Sequence, residues 1–129
     1  MAKILLIDDD DDFRDFVATG LMRAGHDVTI ATSGRFLTAD SGKSDFGTNF
    51  DVVVTDLLMP DVDGLEVVRL VKAAYPKCKI IAMSAGGRFN KSGIFLHLAN
   101  SLGAEFTLAK PFGIPELCHA VDGVMKRAA

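Results

Sequence analysis

The stretch that decides the fold runs from Phe50 to Gly64 and reads FDVVVTDLLMPDVDG. Three consecutive valines, Val52 to Val54, predict a strand over Phe50–Thr55, because β-branched residues favour strands. An unbroken apolar run is also typical of a strand that is buried on both faces. Asp56 follows this strand directly, and the proline- and glycine-containing segment after it must turn before a helical pattern begins. The chain therefore passes from a buried strand through an acidic residue into a helix.

The same alternation of short apolar runs and helical periods extends along the whole chain. Apolar residues spaced by three and four indicate helices, and short runs bounded by charged or turn residues indicate strands. Strands that alternate with helices predict an α/β fold, a five-stranded parallel sheet with helices on both faces. The predicted strands are Lys3–Ile7, Asp27–Ala31, Phe50–Thr55, Lys79–Met83 and Glu105–Ala109, the predicted helices begin near Asp11, Ser33, Gly64, Ile94 and Ile114, and a loop is predicted over Asp40–Asn49.

Length and composition indicate one ordered domain over residues 1–129. Hydrophobic residues make up 49% of the chain and charged residues 24%, a balance typical of a globular protein. The net charge of −3 gives no basic face for nucleic acid. The apolar run Ile4–Ile7 is too short for a signal peptide or a membrane span. We therefore expect a cytoplasmic protein, in which Cys78 and Cys118 are reduced thiols.

Polar residues suited to a metal and a phosphate end four of the five predicted strands. Ligands of open parallel sheets bind beyond the carboxyl ends of the strands, so these side chains should meet. Three carboxylates in one pocket repel one another, and Mg²⁺, which prefers oxygen ligands, would relieve that repulsion. The residues are Asp8 and Asp9 after the first strand, Asp56 after the third, Ser84 after the fourth and Lys110 after the fifth, and the backbone carbonyl of Leu58 completes the predicted metal ligands.

Asp56 can act in such a pocket as a nucleophile toward an activated phosphoryl donor, giving an acyl phosphate. Lys110, Ser84 and the metal would then meet the charge on the transferring oxygens. Simpler roles stay open at this point. The aspartates from Asp8 to Asp12 also suit a solvated helix start, which we favour for the last three of them. Ser84 also suits a local hydrogen bond, and Lys110 the protein surface.

Four ordered motifs resemble those of response-regulator receiver domains from two-component signalling, in particular the single-domain, chemotaxis-type receivers. An apolar strand runs into paired acids, a second strand precedes the phosphoacceptor, a third ends in Ser or Thr, and a lysine–proline pair follows the last. In this sequence the motifs are ILLIDDD at 4–10, DVVVTDLLMP at 51–60 with Asp63-Gly64, IIAMSA at 80–85 and KPF at 110–112.

The resemblance implies a flavodoxin-like sheet of order 2-1-3-4-5, with Asp56 phosphorylated in the presence of Mg²⁺ by a histidine kinase or a histidine phosphotransfer protein. It implies self-catalysed phosphotransfer and autodephosphorylation, without other enzymatic activity, and a cis peptide bond between Lys110 and Pro111. Phosphorylation would change a face formed by the fourth helix, fifth strand and fifth helix, which contacts a downstream protein. We expect no nucleic-acid or membrane partner, and a monomer or weak dimer.

In this family a hydroxyl residue and an aromatic residue together relay phosphorylation to the output face. The sequence departs from the family at this pair of residues, which we call the switch. Members that couple phosphorylation to the output face usually carry Tyr or Phe three residues before the lysine, and this chain has Thr107 there. Phe106 is adjacent, but the two-residue period of a strand directs it to the opposite face. Ser84 would supply the hydroxyl half of the switch without its aromatic half. The departure keeps open a second function, a constitutive adaptor that is not phosphorylated.

The positions two residues past Asp56 and Ser84 predict a long-lived acyl phosphate. They are Leu58 and Gly86, and neither side chain can orient or activate a water molecule. Leu58→Asn should therefore speed the release of inorganic phosphate from the phosphorylated protein. A release time course no faster in the variant than in the wild type would contradict this prediction.

Overall fold

The computed structural model describes residues 2–31, 50–57, 64–85, 91–110 and 112–127. Several expectations lie outside these ranges: the helix near Ser33, the loop 40–49, the carbonyl of Leu58 and the Lys110–Pro111 bond. Within the described ranges the elements are β1 (Lys3–Ile7), α1 (Asp11–Arg23), β2 (Asp27–Ala31), β3 (Val52–Asp56), α2 (Gly64–Ala74), β4 (Lys79–Ala85), α3 (Lys91–Leu102), β5 (Phe106–Lys110) and α4 (Ile114–Arg127).

The five strands form one parallel sheet of order β2-β1-β3-β4-β5. This result confirms the predicted fold class and strand order. Crossover connections are needed to join parallel strands, and α1, α2 and α3 provide those from β1 to β2, from β3 to β4 and from β4 to β5. In the register of β1 and β3, Ile7 pairs with Thr55, so the next residues along the two chains, Asp8 and Asp56, lie side by side at the edge of the sheet.

Both faces of the sheet are covered by helices, which explains why the central strands are apolar throughout. Val52, Val53 and Val54 are fully buried although neighbouring side chains point to opposite faces. On the α1–α4 face, the core includes Val17, Leu21, Leu117 and Val121 of the two helices. On the α2–α3 face, it includes Val67, Val68, Val71 and Ala99.

Three strands end later than their apolar runs predict. The expected strand Phe50–Thr55 is Val52–Asp56, Lys79–Met83 extends to Ala85, and Glu105–Ala109 is Phe106–Lys110. Polarity marks where burial stops, but backbone hydrogen bonds of a parallel ladder do not depend on the side chain. Three predicted site residues, Asp56, Ser84 and Lys110, therefore lie within the paired ends of their strands and not beyond them.

The start of α1 confirms the structural role expected for the later aspartates of the acidic run. Asp10 is the N-cap, and its Oδ1 accepts from the backbone N–H of Phe13 at 3.2 Å. Asp11 and Asp12 occupy the first turn, where negative charge complements the helix dipole. The helix ends before Gly25, whose φ of 95° places it in the left-handed region that favours glycine.

The two cysteines are free, as expected. Cys78 is buried beneath α2, and burial raises the pKa of its thiol to about 12. Burial, and to a smaller extent the Asp122 carboxylate, also raises the pKa of Cys118. Both side chains therefore stay protonated near neutral pH and are poor nucleophiles. Among the described residues, no helix combines the length and apolar character required to cross a membrane.

Gly64 brings the start of α2 against the end of β3. Its N–H donates to the carbonyl of Leu57 at 3.1 Å. A Cβ at position 64 would lie 2.3 Å from Leu57 Cα and 2.4 Å from the carbonyl oxygen of Asp56, distances that only a backbone shift can relieve. A side chain here would thus displace the backbone that carries Asp56.

Gly64→Ala should therefore lower the free energy of unfolding by about 1–3 kcal/mol, the usual cost of overpacking. The matched control is Gly123→Ala within α4, where a Cβ meets no atom within 4 Å. This control should gain up to about 1 kcal/mol, because alanine favours helix more than glycine does. Urea unfolding measures both. A Gly64→Ala variant as stable as the wild type would contradict the close approach.

Candidate functional site

The sheet brings the predicted site residues to its carboxyl edge. Asp8 follows β1 directly, Asp56 ends β3, Ser84 is the penultimate residue of β4, and Lys110 ends β5. Carboxylate oxygens of Asp8, Asp9 and Asp56 all lie within 4.8 Å of one another. The expectation that parallel strands would gather these carboxylates is confirmed.

Two of the three carboxylates are removed from solvent. Asp8 is 0% exposed and Asp56 6%, whereas Asp9 lies on the surface. Burial of a charge is unfavourable unless the charge is paired and hydrogen-bonded. The ammonium of Lys110 supplies that pairing: its Nζ lies 3.2 Å from Asp8 Oδ2 and 3.3 Å from Asp56 Oδ2. Lys110 therefore belongs to the site and is not a surface lysine.

The turn between β1 and α1 fixes the orientation of Asp8. Its Oδ1 accepts from the backbone N–H of Asp10 at 2.9 Å, so its Oδ2 is left to face Lys110. The guanidinium of Arg14 donates from Nη1 to the Asp8 carbonyl at 3.1 Å, and its Nη2 pairs with Asp11 at 2.7 Å. Arg14 thus ties the first turn of α1 to the acidic end of β1.

Sequence reasoning missed Arg14, although a signal was present. The residues three, four and seven positions later are Val17, Ala18 and Leu21, which form the buried stripe of α1. A cation on such a stripe is buried only when it has partners. An arginine in line with the apolar residues of a helix, just after the acidic run, was therefore a candidate for a structural role at that run.

Ser84 is fully buried, and its hydroxyl has no hydrogen-bond partner among the described residues. It follows Met83, which pairs with Asp56 in the ladder, so the hydroxyl-bearing residue is adjacent to the acidic pocket. A buried hydroxyl without a partner costs about 1–3 kcal/mol. The local hydrogen bond considered as the simpler role is not observed, and the donor stays available for a further oxygen.

The last strand, β5, places Thr107 and Phe106 on opposite faces of the sheet. Thr107 pairs with Ala82 and so lies on the α2–α3 face of the sheet, where it is partly exposed. Phe106 pairs with Ile81 and packs into the core of the α1–α4 face. The predicted alternation is confirmed, so Phe106 cannot substitute for an aromatic side chain at position 107.

Negative charges outnumber positive charges in the site. The cluster has three carboxylates, and the ammonium of Lys110 contacts two of them, so negative charge exceeds positive charge by two if all four groups are ionised. Oxygen donors with excess negative charge are the ligand set that hard divalent cations prefer. The residues present therefore fit a bound Mg²⁺, with Asp8, Asp9 and Asp56 as candidate ligands.

Comparison with known proteins agrees with this geometry. A sequence model of the response regulator receiver domain matches residues 4–122. The DNA-binding transcriptional regulator NtrC of Rhizobium meliloti is 35% identical over 131 residues, which cover 98% of this chain and 24% of that protein. The swarming motility regulation protein RssB of Serratia marcescens is 34% identical over 129 residues, covering 98% of this chain and 54% of that protein.

Solved structures show the same fold. The receiver domain of a Clostridium thermocellum protein superposes with a TM-score of 0.80 at 28% identity, covering 98% of this chain and 96% of the other. The receiver domain of the Francisella response regulator 1452 has a TM-score of 0.78 at 26% identity, and each chain is covered completely.

The curated relatives are longer than this chain, which spans 24% of NtrC and 54% of RssB. The match to the family extends over nearly all of the described sheet and includes every residue of the acidic cluster. The fold, the placement of the acidic residues and the lysine, and the family match lead to one conclusion: this chain belongs to the family of response regulator receiver domains.

Proposed function

We propose that Asp56 accepts a phosphoryl group from a phosphohistidine, carried by a histidine kinase or a histidine phosphotransfer protein. The observation that carries the proposal is the buried Asp56 carboxylate, which lies beside two further carboxylates and 3.3 Å from an ammonium group. A carboxylate used as a nucleophile needs cations that neutralise the charge of the incoming phosphoryl group, and this pocket contains one cation and ligands for another.

The reaction would transfer a phosphoryl group from a nitrogen of the donor histidine to a carboxylate oxygen of Asp56. One carboxylate oxygen of Asp56 attacks the phosphorus atom, the P–N bond to the donor histidine breaks, and its electron pair returns to the imidazole, which takes up a proton. A bound Mg²⁺, held by Asp8, Asp9, Asp56 and the carbonyl of Leu58, would supply electrostatic stabilisation of the phosphoryl oxygens. The product is an acyl phosphate on Asp56.

Lys110 and Ser84 would bind the transferred group. Lys110 Nζ contacts the Asp56 carboxylate already, so a small displacement brings it onto a phosphoryl oxygen. Ser84 has a buried hydroxyl without a described partner, and a phosphoryl oxygen would give it an acceptor. The arriving group would thereby satisfy a donor that is unfavourably buried in the unphosphorylated protein.

The chemistry would be confined to the domain's own aspartate. Phosphatases and transferases that form an aspartyl phosphate have a second Asp two residues after the nucleophile, and Leu58 occupies that position. We infer phosphotransfer and slow autodephosphorylation of Asp56, without turnover of another substrate. The output would be a protein contact through α3, β5 and α4, the predicted fourth-helix, fifth-strand and fifth-helix face. The net charge of −3 gives no support for nucleic acid as partner.

The adaptor alternative is favoured by Thr107, since an aromatic residue is absent from the position that usually reports phosphorylation. An adaptor has no need of a phosphoacceptor cluster, however, and the carboxylates and Lys110 are all in place. Phosphorylation itself therefore distinguishes the two functions.

Phosphorylation can be measured as intact mass after incubation with acetyl phosphate, with and without Mg²⁺. The wild type should gain one phosphoryl group only when Mg²⁺ is present, and Asp56→Asn should gain none. Asp12→Asn is the matched control, because this exposed aspartate of the first turn of α1 lies outside the cluster and should leave the gain intact. Absence of any gain in the wild type would overturn the proposal in favour of the adaptor.

The pairing of Lys110 has its own consequence for stability. Without divalent cations, Lys110→Met removes from the buried carboxylates of Asp8 and Asp56 the ammonium that contacts both. The variant should lose about 2 kcal/mol, below the range for fully buried pairs because the lysine side chain is 16% exposed. Adding Asp8→Asn to Lys110→Met should restore part of the loss, since it removes one uncompensated charge. Equal urea midpoints for the wild type and Lys110→Met would contradict the pairing.

A further inference from the structure

An aromatic ring lies against the ammonium of Lys110. The Nζ of Lys110 is 4.1 Å from the centroid of the Phe13 ring, within the range of a cation–π interaction. Phe13 belongs to the first turn of α1 and is partly buried. Among the described residues, the ammonium thus contacts the carboxylate of Asp8, the carboxylate of Asp56 and the face of an aromatic ring.

The ring of Phe13 is itself held in place. Phe112, a buried residue of the α1–α4 core, meets it edge to face, with centroids 5.6 Å apart and an interplanar angle of 85°. Phe16 packs beside it at 6.4 Å. The backbone N–H of Phe13 donates to the N-cap carboxylate of Asp10. The position of the ring is thus determined by the helix start and by the core, independently of Lys110.

A fixed ring matters because lysine is flexible. Its side chain loses rotamer entropy when it is ordered. The carboxylates of Asp8 and Asp56 attract the ammonium, but a metal bound to the same carboxylates would compete with it. An aromatic face attracts the cation without using a carboxylate oxygen. An aliphatic side chain at position 13 would fill a similar space without this attraction.

We propose that Phe13 is a positioning residue, whose ring holds the Lys110 ammonium at the acidic cluster in readiness for the phosphoryl oxygens. The consequence for phosphotransfer rests on the function proposed above, whereas the ring–ammonium contact is a property of the unmodified protein. Phe13 would act through Lys110 and would not touch the transferred group.

The contact can be tested by NMR in metal-free protein. The ε-methylene protons of Lys110 should show an upfield ring-current shift in the wild type. Phe13→Leu should abolish this shift, because leucine keeps the apolar bulk but removes the ring, and Phe13→Tyr should retain it. Phe16→Leu is the matched control: Phe16 lies on the same helix, is 53% exposed and packs beside Phe13, but the lysine contact is made by Phe13.

The effect of Phe13 on phosphotransfer can be tested by the initial rate of phosphorylation with acetyl phosphate at saturating Mg²⁺. Phe13→Leu should lower the rate about fivefold to tenfold, in keeping with the usual strength of a partly buried cation–π contact. Phe13→Tyr should stay within about twofold of the wild type, and so should Phe16→Leu. Urea unfolding of all three variants shows whether the rate follows stability instead.

Each result bears on the inference separately from the proposed function. A wild-type rate in Phe13→Leu, or an equal fall in Phe16→Leu, would overturn the positioning role while leaving phosphorylation of Asp56 intact. A Lys110 signal that is the same in the wild type and in Phe13→Leu would overturn the contact itself. If the wild type gains no phosphoryl group, the proposed function fails, and the ring-current shift alone decides whether Phe13 holds Lys110.

Discussion

The ion pairs of Lys110 are the constraint on which the site depends. The register of the parallel sheet brings the ends of β1 and β3 together, so Asp8 and Asp56 become close neighbours while both are withdrawn from water. Two buried carboxylates at this separation repel each other strongly unless a cation lies between them. Lys110, at the end of the edge strand β5, contacts both carboxylates. The same strand order that builds the core therefore also builds the charge arrangement.

That arrangement pairs two of the carboxylates with a cation but leaves other polar groups without a full set of partners. One ammonium lies at a cluster of three carboxylates and contacts two of them, and the hydroxyl of Ser84 lies buried without a described partner. Such features are unfavourable for the folded state alone, and proteins tolerate them mainly where function requires them. A divalent cation would correct the excess negative charge, and an incoming phosphoryl oxygen would satisfy the hydroxyl. Binding and reaction would thus complete interactions that folding leaves open, while Arg14, Gly64 and Phe13 hold the surrounding backbone and side chains in position.

The sequence predicted the elements well because the signals are local. Apolar runs and helical spacing located the five strands, and the two-residue period placed Phe106 on the face opposite Thr107. The gathering of Asp8, Asp56 and Lys110 followed from a general rule, that parallel strands present their carboxyl ends at one edge. The strand order itself was inferred by resemblance, since the order of strands is not encoded in any single segment.

Side-chain contacts between distant segments could not be predicted in the same way. Lys110 and Asp8 are separated by 102 positions in the chain, and their pairing depends on side-chain direction as well as on strand order. The edge-to-face contact of Phe13 with Phe112 and the contact of Phe13 with the lysine depend on how α1 packs beside the end of β5. Strand ends were displaced by one or two residues because polarity marks burial, whereas hydrogen bonding sets the limits of a strand.

The central claim is that the carboxyl edge of the sheet has an excess of negative charge that a divalent cation stabilises. The most direct measurement is the thermal unfolding midpoint as a function of Mg²⁺ concentration, at ionic strength held constant with NaCl. The account predicts a midpoint that rises with the logarithm of Mg²⁺ concentration once the site begins to fill, because a ligand that binds the folded state stabilises it. The rise should be weaker in Asp9→Asn and unchanged in Asp12→Asn. A midpoint that does not depend on Mg²⁺ in the wild type would contradict the account.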